Sequence, residues 1–143
     1  MFIGEFSHTI DAKGRLAVPA KWRSQFAEGV IVTRGLDGCL FLYSRAEWEV
    51  VAKKLASLPL SQKQSRAFAR LLLAGASDGE LDGQGRIIIP EYLRQFASLK
   101  HHVTVAGLYN RGEIWDEDAW HTYRARVEST SVDIAESMGT LGI

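Results

Sequence analysis

The 143-residue sequence holds one cysteine, three prolines and no surplus of either charge. Cys39 cannot form an intrachain disulfide, and no CxxC or Cys/His cluster offers a structural zinc site. Stability must come from packing, and a reducing cytoplasm is the expected compartment. No apolar run reaches the roughly 18–20 residues that cross a bilayer, and the N-terminus mixes acids, His and Gly where a signal peptide would carry its apolar region. No membrane contact is expected. Absent too are a GxxxxGKS/T loop, a GxGxxG turn, a GxSxG elbow and an HExxH helix. Among the four histidines, adjacent His101 and His102 would point to opposite sides of a strand, which disfavours chelation. Cys39 starts an apolar run and reads as a small core residue. The expectation is a non-enzyme with no catalytic residues, metal, cofactor or small-molecule substrate.

What is present is 46% apolar and 24% charged residues, enough for one packed core and incompatible with disorder or a collagen-like repeat. The balanced charge hides a division. Residues 1–75 carry 11 Lys+Arg against 6 Asp+Glu, and residues 76–143 carry 6 against 11. Such a chain can present a basic face to nucleic acid or pack basic against acidic surfaces between subunits; ordinary solvated surface is the bland alternative.

An internal repeat organises the chain. Ile10-Asp11-Ala12-Lys13-Gly14-Arg15-Leu16-Ala17-Val18-Pro19 aligns with Leu81-Asp82-Gly83-Gln84-Gly85-Arg86-Ile87-Ile88-Ile89-Pro90 at an offset of 71. With one residue inserted, Gly35-Leu36 aligns with Gly107-Leu108, Tyr43 with Trp115, and Trp48, Val51 and Leu55 with Trp120, Tyr123 and Val127.

Each copy reads as strand, turn, strand, short helix, two strands and a longer helix. Leu16 with Val18, and Ile87 with Ile89, alternate as strand residues do, and the preceding Gly suits a positive φ. Pro19 and Pro90 suit the first helical position, followed by Trp22 with Phe26 or Tyr92 with Phe96 as anchors at i, i+4. Hairpins are expected over Val30–Arg34 and Cys39–Tyr43, and over Val103–Ala106 and Glu113–Trp115; Gly112 interrupts the second. Ser44-Arg45-Ala46-Glu47 fits a capping box, and a second long helix is expected from Asp116. Residues 1–60 and 76–128 form the two copies, 61–75 a connecting helix, and 129–143 a weakly patterned tail.

The sharpest chemical signal is Asp-x-x-x-Arg with Gly before the Arg, present twice. A short carboxylate at a turn can accept backbone N–H bonds or pair with the Arg across it, so Asp11 and Asp82 read as turn-shaping. Arg15 and Arg86, with Lys13, instead suit bidentate or point-charge contact with phosphate or guanine. The residues alone leave DNA contact and a purely structural Asp–Arg pair both open.

MFIGEFSHTIDAKGRLAVPAKWR, TRGLDGCLFLY and LDGQGRIIIPEYLR together resemble the MraZ family, bacterial transcriptional regulators of the division and cell-wall gene cluster. The likeness runs from Met1 to about Val127. It implies an α+β fold of the SpoVT/AbrB type: a tandem duplicated, swapped-hairpin β-barrel with short helices and a pseudo-twofold axis within one chain. It further implies a ring-shaped homo-oligomer on the nucleoid that binds direct repeats of double-stranded DNA in its own promoter, with repression as the expected outcome. By position, the implied DNA-contacting residues are Lys13, Gly14, Arg15, Gln84, Gly85 and Arg86, with Thr9 and His8 as weaker candidates. Gln84 stands where the first copy has Lys13, so the first turn should dominate the Coulombic part. The alternative is an oligomeric protein-interaction scaffold without sequence-specific DNA binding.

Overall fold

The two copies exchange their first strands. In the computed structural model, which describes residues 1–143, the first copy contributes β1 (Phe2–Thr9), β2 (Arg15–Ala17), a 3-10 helix (Ala20–Phe26), β3 (Val30–Arg34), β4 (Leu40–Ser44) and α1 (Arg45–Ala56). A connecting helix follows, with α2 (Lys63–Ala69) running into a π-helical turn, Arg70–Ala74. The second copy supplies β5 (Ser77–Gly79), β6 (Arg86–Ile88), α3 (Glu91–Phe96), β7 (His102–Tyr109), β8 (Gly112–Asp116) and α4 (Glu117–Ser129). The tail forms α5 (Ser131–Ser137) and a 3-10 turn, Gly139–Leu141.

Six strands make one antiparallel sheet in the order β1-β7-β8-β4-β3-β5, and β2 pairs with β6 in a separate ladder. Exchanging each strand for its counterpart in the other copy reads that order backwards. The pseudo-twofold therefore runs through the β4–β8 pair. β1 lies along the whole of β7, from Phe2 opposite Tyr109 to Thr9 opposite His102, while β5 pairs with β3. The sheet keeps two edges and does not close into the barrel that the resemblance implies: β5 has only three residues and bonds only to β3. The result is a mixed α/β fold with an antiparallel sheet shared by two duplicated halves.

Both faces of the sheet are covered, which explains why Val30–Val32 and Leu40–Tyr43 are apolar without interruption. Val30, Val32, Leu40, Leu42, Val103, Val105 and Ile114 share one core with Leu16 and Ile87 of the small ladder and with Trp22 and Leu93 of the short helices. Phe2 meets Trp22 edge-on at 5.0 Å and stacks on Phe26 at 5.3 Å. The opposite face holds Ile31, Phe41, Tyr43 and Trp115 beneath Leu55 and Leu72. There Trp48 packs on Tyr43, and Trp120 with Tyr123 on Trp115, as the repeat alignment requires.

Several expectations need correction. Pro19 and Pro90 stand one residue before their helices, with ψ at 132° and 151°, so they cap rather than occupy the first turn. The counterparts of Trp22 and Phe26 are Leu93 and Ala97, which are buried, whereas Tyr92 and Phe96 are exposed. The strand registers place Val103 and Val105 where the first copy has Val30 and Val32, so two residues are added before β7 and one is lost in the hairpin. β7 runs to Tyr109 because β1 pairs with it to its end. Gly112 is buried in the strand, where a Cβ would lie 3.1 Å from the Trp22 ring. The capping box is half made: Ser44 Oγ accepts the Glu47 N–H at 3.3 Å. Asp116 caps α4 rather than opening it, accepting the Ala119 N–H at 3.3 Å.

Candidate nucleic-acid interface

Each Asp-x-x-x-Arg segment folds as a closed turn. Asp11 Oδ1 accepts the Lys13 N–H at 3.0 Å and the Arg15 N–H at 2.9 Å, and its Oδ2 accepts Arg15 Nε–H at 2.6 Å. Asp82 repeats this with Gln84 N–H at 2.8 Å, Arg86 N–H at 2.9 Å and Arg86 Nε–H at 2.9 Å. These backbone N–H bonds, reinforced by the arginines, hold both carboxyls below the ordinary aspartate range. Gly14 and Gly85 close the turns at φ 81° and 73°, a region costly for residues with a Cβ.

The antiparallel ladder sets the turns at its two opposite ends, with Leu16 and Ile87 facing inward and both arginines on its outer face. Arg15 faces Ile88 and Ala17 faces Arg86 across β2–β6. Beyond the ladder, the Ile89 N–H donates to Gly14 O at 2.7 Å and the Val18 N–H to Gly85 O at 3.0 Å, so each glycine carbonyl is held by the opposite copy. Both glycines are buried. A Cβ on Gly14 would lie 2.6 Å from Ile89 O, and one on Gly85 would collide with the Arg23 guanidinium.

The Asp–Arg pairs use only one edge of each guanidinium. Arg15 and Arg86 spend Nε on the carboxylate, their side chains stay 34% and 30% exposed, and their terminal Nη groups hydrogen-bond to nothing in the chain. Structural pairing and an outward-facing donor set coexist in the same side chain. Lys13 and Gln84 occupy equivalent exposed positions at the turn tips. In water such exposed pairs stabilise little, so their value is in orientation.

The family comparisons agree with the duplication. A family model described as "MraZ protein, putative antitoxin-like" matches the chain twice, over residues 1–71 and 72–140. The chain belongs to the MraZ family. Among its relatives are proteins named "Transcriptional regulator MraZ" from Ligilactobacillus salivarius, 51% identical over 96% of both chains, and Natranaerobius thermophilus, 46% identical over 96% of both. One of the same name from Acetivibrio thermocellus is 46% identical over the full length of each.

This MraZ-family chain also builds its turns from two residues that sequence reasoning missed. Arg23 Nε–H donates to Val18 O at 3.2 Å and Arg94 Nε–H to Ile89 O at 3.0 Å, so each clamps its own strand end while lying over the opposite copy's glycine. The signal was available: both arginines recur at the offset of 71 that aligns the turns. Thr9 and His8 lie on opposite faces of β1, Thr9 exposed and His8 half-buried. Burial lowers the His8 pKa, and the Arg23 guanidinium adds to the shift. The first turn borders a cleft of about 340 Å³ whose basic lining is Arg94, Lys100 and His101.

Elsewhere the side chains are set for packing. Cys39 is buried, and desolvation pushes its thiol up to about 12. No group of three or more His, Cys, Asp or Glu converges as a metal site. No helix is long and apolar enough to cross a membrane.

Proposed function

We propose that this protein is a sequence-specific DNA-binding transcriptional regulator. It acts as a repressor, as a ring-shaped oligomer on the nucleoid, by occupying direct repeats in the promoter of its own division and cell-wall operon. The observation that carries the reading is the paired turn: two arginines oriented by aspartates, terminal nitrogens free, presented on one face of the β2–β6 ladder from its two ends. The shared name of the relatives supports the regulatory role, and the strand exchange supports a swapped-hairpin architecture of the SpoVT/AbrB type.

Arg15, Arg86 and Lys13 take the phosphate or base contacts, with Gln84 as a polar contact, and Gly14 and Gly85 hold the turn backbones close. Thr9 and His8 flank the surface. Lys13 makes the first turn the stronger electrostatic partner. A zero net charge is no obstacle, because subunits bound to successive repeats raise one another's effective concentration.

Footprinting on the DNA upstream of the protein's own gene tests the reading. Protection at regularly spaced repeats is expected; uniform or absent protection would refute operator recognition and favour the scaffold alternative.

A further inference from the structure

The tail and the connecting helix carry opposite charge and unpartnered apolar faces. Residues 129–143 contain Asp133 and Glu136 and no Lys or Arg. Along them Val132, Ile134, Met138 and Leu141 are exposed, and nothing in α5 is buried. Residues 61–75 show the reverse charge, with Lys63, Arg66 and Arg70 and no acid. On that helix Ala67, Phe68 and Leu71 line an open apolar groove. The exposed rings of Tyr92 and Phe96 hold the Arg34 guanidinium at 5.8 and 5.9 Å. Arg34 ties the two parts together, since its Nη1 donates to Leu71 O at 3.2 Å.

The tail does not serve its own groove. α4, from which it extends, packs on β7 and β8, whereas α1 and the π-helical turn pack on β4 and β3, towards the other end of the strand order. We infer that the acidic tail of one copy docks on the basic connecting-helix groove of the next, its apolar stripe against Phe68 and Leu71. The charge complementarity selects a second copy of this chain as the occupant. The contact joins two different surfaces and is therefore heterologous, the type that propagates head to tail into a ring or filament. This inference rests on the assembly proposed above and identifies its contact surfaces.

Light scattering coupled to gel filtration on the full chain provides the test. Lys63 and Arg70 are exposed and make no side-chain bond, so Lys63→Glu with Arg70→Glu reverses the groove without touching the core. Asp133→Arg with Glu136→Arg reverses the tail. Each double variant alone is expected to elute at the mass of one chain under conditions where the wild type assembles, with unchanged far-UV circular dichroism. An equimolar mixture of the two should recover the wild-type mass, because each tail then meets a groove of opposite sign. Variants that keep the wild-type mass, or a mixture that stays dissociated, would overturn the contact while leaving assembly itself standing. A wild type of single-chain mass would overturn both.

Discussion

Replacing Gly14 by Ala isolates what the junction between the first turn and the second copy's strand end contributes. Gly14 and Gly38 have nearly the same left-handed backbone, φ 81° and 84°, but a Cβ on Gly38 meets nothing, whereas one on Gly14 lies 2.6 Å from Ile89 O. The conformational cost of a Cβ in this region is about 1–2 kcal/mol and applies to both. At Gly14 the Ile89 strand must also retreat, which loosens the 2.7 Å bond from the Ile89 N–H to Gly14 O and costs about 0.5–1.5 kcal/mol more. Gly38→Ala should therefore destabilise by about 1–2 kcal/mol and Gly14→Ala by about 1.5–3.5 kcal/mol. Urea unfolding followed by the fluorescence of the tryptophans, with Trp22 fully buried, measures both. If Gly14→Ala costs no more than Gly38→Ala, the junction is not a rigid part of the fold.

Other perturbations probe the remaining supports. Trp22→Ala removes a fully buried ring that contacts Phe2 and Phe6 and should cost about 3–5 kcal/mol by chemical denaturation. His8 has a lowered pKa, so the unfolded chain binds more protons below the ordinary value of 6.5; the stability of the wild type should fall as the pH drops through that value, and His8→Gln should flatten the slope between about pH 7 and 5. Asp11 and Asp82 shift the other way: their contribution is present above the ordinary aspartate value of 3.8 and is lost as the pH falls through the lowered one. The double variant Asp11→Asn with Asp82→Asn should therefore unfold more readily at pH 7 but converge on the wild type as the pH falls through the lowered range, in paired denaturation curves.

The repeat and its turns were legible because local chemistry specifies them. An Asp that can reach two backbone N–H groups and a Gly that permits a left-handed residue define the turn without tertiary help. Pairing between the copies was less accessible. β1 reaches β7 across some hundred residues of chain, so neither that register nor the extension of β7 to Tyr109 is written locally. Helix anchors were misassigned for a related reason: aromatic Tyr92 and Phe96 draw the eye at i, i+4, but the packed stripe is Leu93 and Ala97. Tyr92 instead donates from its hydroxyl to Gly75 O at 2.8 Å, and both rings flank Arg34. Arg23 and Arg94 were passed over because surface arginines rarely announce a backbone partner, although their recurrence at the repeat offset pointed to one.

The central claim, that the Asp-oriented arginines and Lys13 read DNA, is tested most directly by fluorescence anisotropy across a salt series. Wild type, Lys13→Ala and Arg15→Ala are compared on the DNA upstream of the gene and on a shuffled control. Wild type should prefer the upstream DNA with a steep salt dependence. Lys13→Ala should weaken binding to both DNAs and reduce the salt slope by about one per engaged turn, and Arg15→Ala, still folded, should lose about 1–3 kcal/mol of the preference. Equal affinity of the wild type for both DNAs, or full preference retained by Arg15→Ala, would contradict the account.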